Sequence, residues 1–334
     1  MKRISKFRLF ALLLLVALGI NALSNNRLIP DGFKRSEQPK NYLTGLPGTN
    51  GKVLAVKIDD TMEAHPQIGI EAADLVYVEQ VESGLTRLLA LYTSEYPEFI
   101  GPIRSARISD IDILAPFGKV AFAYSGSQTK MRPVLADANL NVLSAERNPP
   151  SIFSRDESRV SPVNMILYIE KLFAQATNKL KMSLISLPSS PWLFGESSKF
   201  ATPVKSAKIS WPNAKYEVLW NSESKCWNLI QNGSIEVTTK GSNLCIQNAI
   251  IQKVKIEPSI YGDKFGGITP ISQTVGSGTA ILLRDGKYLN LNWVRDEAGQ
   301  YTKWFDKQGE RMKITPGRTW VFLADTDPIF IFQP

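Results

Sequence analysis

Residues 74–93 read DLVYVEQVESGLTRLLALYT, two β-like runs at 74–81 and 85–93 joined by only Glu82-Ser83-Gly84. Three residues are enough for an antiparallel hairpin but too few for the crossover that a parallel pair needs. Ahead of them, Val53-Leu54-Ala55-Val56-Lys57-Ile58 is a short, nearly continuous apolar run, as expected of a strand covered on both faces. Behind them, 119–124 supplies a fourth strand. Helical candidates fall at 108–117, with Asp110 and Asp112 in the first turn, at 129–138, and at 162–176 with Ser161 as N-cap. Strands interleaved with helices, one pair of them a hairpin, predict an α/β domain on a mixed sheet over 52–185.

Past Lys181 the pattern changes. Pro188, Pro191 and Pro203 mark a connector, and beyond it short β-like runs alternate with Asn-Gly, Asp-Gly and Gly-Gly turns. The expected fold class is therefore α+β or α/β, with the mixed-sheet domain followed by a smaller antiparallel β-rich domain over 205–334. Upstream, Pro30, Gly32, Pro39, Gly45, Pro47, Gly48 and Gly51 punctuate a polar stretch, and 25–51 reads as a flexible tether.

The N-terminus sets the address. Lys2, Arg3, Lys6 and Arg8 precede an apolar run from Leu9 to Ile20, the layout of an export signal. Residues 1–24 are read as a signal peptide cleaved after Ser24 or as an uncleaved signal anchor holding the body at the outer face of a membrane. The formal charge is +8, but taking those four cations from 39 basic residues leaves 35 against 31 acidic ones. A remainder of that size is weak support for a polyanion surface, and no nucleic-acid partner is expected. Two cysteines in an exported chain tend to pair, and Asn232-Gly233 between Cys226 and Cys245 is a strong hairpin signal. The expected disulfide closes a loop worth on the order of 3 kcal/mol.

Candidate chemistry is limited by a single histidine, His65, in a His-Pro-Gln loop where an exposed structural role is expected. No metal site and no cofactor are expected. Four carboxylates, Asp59 and Asp60 at the end of the first strand and Glu79 and Glu82 at the end of the second, crowd one rim if those strands are parallel neighbours. Asp59 and Glu82 are the candidates for acid or base work. Arg87 and the segment Gly101-Pro102-Ile103-Arg104-Ser105-Ala106-Arg107 offer guanidinium forks and backbone donors at a helix start, a pattern that takes phosphate or carboxylate or else pairs with the acidic rim. Tyr124-Ser125-Gly126-Ser127-Gln128 lacks the G-x-S-x-G pattern, and its serines are expected to cap a helix. Trp293, Trp304, Phe305 and Trp320 are assigned to core or inter-domain packing.

These segments resemble a known family. Tyr42-Leu43-Thr44-Gly45-Leu46-Pro47, Val56-Lys57-Ile58-Asp59, Gly84-Leu85-Thr86-Arg87 and above all Gly101-Pro102-Ile103-Arg104-Ser105-Ala106-Arg107 look like the YerB-like family of bacterial exported lipoproteins. Gly276-Ser277-Gly278, Trp293 and Pro316-Gly317-x-Thr319-Trp320 resemble its separate C-terminal domain. The resemblance implies architecture and location and no assigned activity. The chain departs from it in lacking a lipobox cysteine, in reading Pro162-Val163-Asn164 for Pro-His-Asn, and in placing Ala123 where the family has a further histidine.

The expected function is a binding or scaffold protein of the cell envelope that recognises an anionic ligand or protein partner through Arg87, Arg104, Ser105 and Arg107, with Asp59 beside them. The alternative is a hydrolase or transferase that uses the strand-end carboxylates while the arginines hold an anionic substrate.

Overall fold

Strand β1 (Leu54–Asp59) lies beside β3 (Thr86–Tyr92), and β3 lies beside β2 (Leu75–Gln80), both pairs antiparallel. The Glu82–Gly84 connection is a single 3-10 turn, so β1 and β2 run parallel with β3 between them. A computed structural model describes residues 38–263 and 266–332, and the export segment expected at 1–24 lies outside them. No helix among the described residues is long and apolar enough to cross a membrane.

The three strands sit inside an 11-stranded mixed sheet. On the β1 side follow Ala121–Tyr124 and Asn141–Ser144, both parallel. On the β2 side the neighbour comes from the far end of the chain: Thr319–Ala324 pairs parallel with β2, with Leu75 opposite Thr319 and Val78 opposite Phe322. Asn248–Lys253, Gly276–Arg284 and Lys287–Arg295 extend the sheet beyond it. The two halves read from the sequence thus share one sheet. The C-terminal half is mostly antiparallel, as expected, except where Thr319–Ala324 pairs parallel on both of its edges.

Alternation along the strands fills two cores. Leu54, Val56 and Ile58 face one side with Val76, Val78, Leu88, Ala90, Trp320 and Phe322. A six-stranded antiparallel sheet covers that side, with Trp211 Nε1 donating to the Leu323 carbonyl at 2.9 Å and Tyr216 stacked edge-on to Phe322 at 5.4 Å. Ala55, Leu75, Leu89, Leu91 and Phe122 face the other side, beneath the helix Ser109–Leu114. A strand with both faces buried needs apolar residues throughout, which is why β1 reads as an unbroken run.

Three local expectations are corrected. The third helix is confined to Ile169–Ala174 and a π turn at Gln175–Lys179, because Met165–Tyr168 is drawn into a three-stranded sheet between Phe99–Ile100 and Phe153–Arg155. Ser161 therefore caps no helix. Residues 40–51, read as tether, are packed: Leu43 is fully buried, and Asn41 donates to Thr93 Oγ1 at 2.9 Å. Neither Ser125 nor Ser127 caps the helix Arg132–Asp137, whose N-cap position is Met131.

Cys226 and Cys245 form the expected disulfide, with Cα atoms 5.7 Å apart. The Asn232-Gly233 turn reverses the chain as anticipated, and the bridge itself follows from Cys245–Ile246 pairing directly with Cys226–Gln231, Cys245 opposite Asn228.

Candidate functional site

Cross-strand register places Asp59, Arg87 and Glu79 side by side on adjacent strands, Arg87 in the middle. All three, with Lys57 two residues back on β1, belong to the face covered by Ser109–Leu114, where their neighbours are apolar. Charged side chains in such a place need partners, and the chain supplies them in two groups.

The inner group is sealed. Lys57 Nζ bonds Glu79 Oε1 and Asp110 Oδ1, the latter at 2.7 Å, and all three side chains are fully buried. Burial pushes the Glu79 carboxyl up to about 7 against the pull of Lys57, with Asp110 adding to the rise. Asp110 also accepts the Arg107 backbone N–H at 2.6 Å. The backbone donor expected to be free at that helix start is therefore occupied.

The outer group opens to solvent. Arg104 Nη1 lies 3.0 Å from Asp59 Oδ2, and Arg107 donates twice to Glu82 Oε2, from Nε at 2.9 Å and Nη2 at 2.6 Å. Thr269 donates to the other oxygen of Glu82. Burial works to raise Glu82, but Arg107 and the Thr269 hydroxyl outweigh it and hold the carboxyl below its usual range. Arg87 completes the group at 8 % exposure, and its Nη1 has no hydrogen-bond partner among the described residues. Burial, then Arg107 and Arg104 as like charges, pull Arg87 down to about 9 against Asp59 and Glu82.

These residues wall a cleft of about 720 Å³. Its floor holds Arg87, Arg104, Ser105 and Arg107, which the sequence nominated, together with Glu82 and the turn Gly126-Ser127-Gln128. Ser105 Oγ lies 3.4 Å from Ser125 Oγ. The Gly101–Arg107 segment comes alongside because Arg104 N donates to the Lys57 carbonyl and Ser125 N to the Arg104 carbonyl, threading the segment between β1 and the end of Ala121–Tyr124. Asp59 is fully buried behind Arg104.

The far wall was not legible in sequence. It is the hairpin Ile256–Gly262 with Ile268–Ser272, which contributes Tyr261, Gly262, Asp263 and Thr269 and is tied down by Thr269 to Glu82 and by Ser272 N donating to Ser109 Oγ at 3.0 Å. The Gly262–Gly267 stretch reads only as turn chemistry, and no local pattern announces that the hairpin spans to the first half of the chain.

The remaining carboxylate separates from the site. Asp60 faces the second sheet, accepting from Thr86 and Tyr216 hydroxyls at 2.6 Å each. His65 joins it there and corrects the expectation of an exposed residue. Its side chain is 14 % exposed, with Nδ1 at 3.3 Å from Glu236 Oε1 and Nε2 at 3.8 Å from Asp60. Burial opposes its charge, yet Asp60 and Glu236 raise it on balance. Ala123, the position of the family's further histidine, is fully buried on the face away from the cleft.

Residues 43–183 match the family model described as "Protein of unknown function (DUF3048) N-terminal domain", and 207–321 match its C-terminal domain. YerB of Bacillus subtilis (strain 168), by name a candidate lipoprotein, is 26% identical over 306 residues, covering 88% of this chain and 87% of the relative. The crystal structure of YerB protein from Bacillus subtilis superposes with a TM-score of 0.75 at 20% identity, covering 86% of this chain and 97% of that one, and that likeness speaks for the fold alone. With both domain models matched in order, and the YerB architecture reproduced, the chain belongs to the two-domain DUF3048 family of proteins of unknown function.

Proposed function

We propose that this chain is an extracytoplasmic, envelope-associated binding protein that takes an anionic ligand in the cleft through Arg87, Arg104 and Arg107. Location is supported by the export-type N-terminal sequence and by a relative named as a lipoprotein. The ligand's charge follows from one observation: three guanidinium groups face two carboxylates, and the buried Arg87 Nη1 has no partner among the described residues. A buried donor left unmade costs about 1–3 kcal/mol, more when charged, and a phosphate or carboxylate oxygen against Arg87 removes that cost.

The hydrolase or transferase alternative is less well supported. Asp59 and Glu82 each face an arginine, and Glu82 is held below its usual range, which leaves it a poor proton donor at neutral pH.

Removing Arg104 or Arg107 strands a buried carboxylate and confuses binding with stability. Arg87→Gln is the cleaner test. Calorimetric titration of inorganic phosphate should show binding to the native chain and none to Arg87→Gln. Equal affinity for both proteins, or no phosphate binding by the native chain, would overturn the reading.

A further inference from the structure

A second polar enclosure lies apart from the cleft, where the connector at Pro191-Trp192 meets the strand ending at Arg295. Its volume is about 20 Å³, and its wall includes Tyr77, Phe117, Trp192, Gln252, Arg295 and Tyr301. A space of roughly 10–15 Å³ already admits one water-sized occupant.

Its lining is unusual in one respect. Trp192 Nε1, Gln252 Nε2, Arg295 Nε and the Tyr301 hydroxyl are all buried, and none has a hydrogen-bond partner among the described residues. The first three can only donate, and the fourth can. Arg295 is 3 % exposed and forms no ion pair among the described residues. Its other nitrogens meet neutral acceptors, Nη1 reaching Thr274 Oγ1 at 2.9 Å and Nη2 the carbonyls of Asp112 and Ala298. The ionisable groups in electrostatic reach of Arg295 are Tyr77 and Asp112.

A buried guanidinium with no carboxylate bonded to it has Asp112 as a counter-charge only at longer range. A single water accepts two hydrogen bonds, too few for this set of donors. We infer that the cavity is a binding site for a small, halide-sized anion, seated against Arg295 Nε and held by the donors of Trp192, Gln252 and Tyr301. The ion neutralises Arg295 and joins three segments: the connector through Trp192, the strand Asn248–Lys253 through Gln252, and the Arg295–Tyr301 loop. Arg295 itself bonds the helix Ser109–Leu114 at Asp112, so the ion also steadies the contact between the two halves of the chain. This site shares no residue with the cleft and stands whether or not the cleft binds anions.

Crystals of the full chain soaked in sodium bromide should show an anomalous peak beside Arg295 Nε and Trp192 Nε1. Thermal unfolding in chloride, compared with gluconate at equal ionic strength, should show a stabilisation that saturates with chloride concentration. Trp192→Phe keeps the ring and removes one donor, so the chloride concentration for half-effect should rise about tenfold. Arg295→Met should abolish the effect, and if that variant does not fold the Trp192→Phe shift still decides. A water in the cavity with bromide absent, equal melting in chloride and gluconate, or an unaltered half-effect concentration in Trp192→Phe would each overturn the site.

Discussion

Lys57 and Asp59 are two residues apart on β1 and point to the same side of the sheet, yet the clusters around them carry opposite imbalances. The Lys57 group holds two carboxylates for one cation, is sealed from solvent, and answers its surplus by raising Glu79. The rim group holds three guanidiniums for two carboxylates, opens onto the cleft, and leaves its surplus on Arg87. A buried surplus of negative charge can be removed with a proton. A surplus of arginine charge cannot, because guanidinium resists deprotonation, and so it calls for an anion. On the reading proposed above, the first arrangement is structural and the second is the one that binds.

The largest effect should come from breaking the sealed group. Lys57→Met leaves Glu79 and Asp110 buried without their cation and should cost about 3–5 kcal/mol in denaturant unfolding. A loss under about 1 kcal/mol, within the range of exposed pairs, would mean the group is not sealed.

Next is the turn that holds the rim. Gly84 has φ +67°, and a Cβ there would meet Pro212 Cβ at 2.5 Å, while Asn213 bonds the Gly84 and Ser83 carbonyls. Gly84→Ala should cost about 1–3 kcal/mol through the unfavourable backbone angle alone, and it should weaken anion binding by displacing Glu82 and Arg107. Full stability with full binding would show that the turn does not position the rim.

The pH response should separate the two groups by sign. Glu79 is raised to about 7 in the fold, so its contribution is fully present below the ordinary glutamate range and is lost as pH climbs through 7. Glu82 is lowered, so its contribution is present above the ordinary range and is lost as acid drives it below. Melting curves should show Glu79→Gln flattening the decline toward pH 7 and Glu82→Gln flattening the acid limb; the same limb altered by both would erase the distinction.

The smallest stability effect is expected at Arg87. Arg87→Gln removes the unanswered charge, so the melting temperature should stay nearly constant while phosphate binding disappears. A loss comparable to that of Lys57→Met would make Arg87 structural and end the contrast.

Much of this contrast was legible in the sequence. The unbroken apolar run of β1 and the three-residue link between β2 and β3 mark out three strands and bring Asp59 and Glu82 to one rim, whereas β3 separates β1 from β2, Glu79 is sealed inside and Asp60 faces the second sheet. The arginine segment landed on the cleft because its residues are close in sequence to that rim. A lysine inside an apolar run, two residues before an aspartate, signals a buried ion pair, and Lys57 fits that pattern. Glu79 and Glu82 could not be sorted, since one belongs to the strand and the other to the turn after it. The hairpin that forms the far wall, the Arg295 cavity and the partner of β2 all depend on pairings between distant residues, for which local patterns carry no mark. The 162–176 helix failed for a related reason, because two other strands capture its first half.

The central position of Thr319–Ala324 has a consequence for how the molecule is made. β2 is made long before its neighbour Thr319–Ala324, and closing so long a loop before contacts repay it is slow. Until Thr319–Ala324 docks, the edge of β2 stays open and the sheet cannot close. The segment between them should therefore emerge before the central sheet is sealed, while that sheet can still be pulled apart and threaded through a narrow channel.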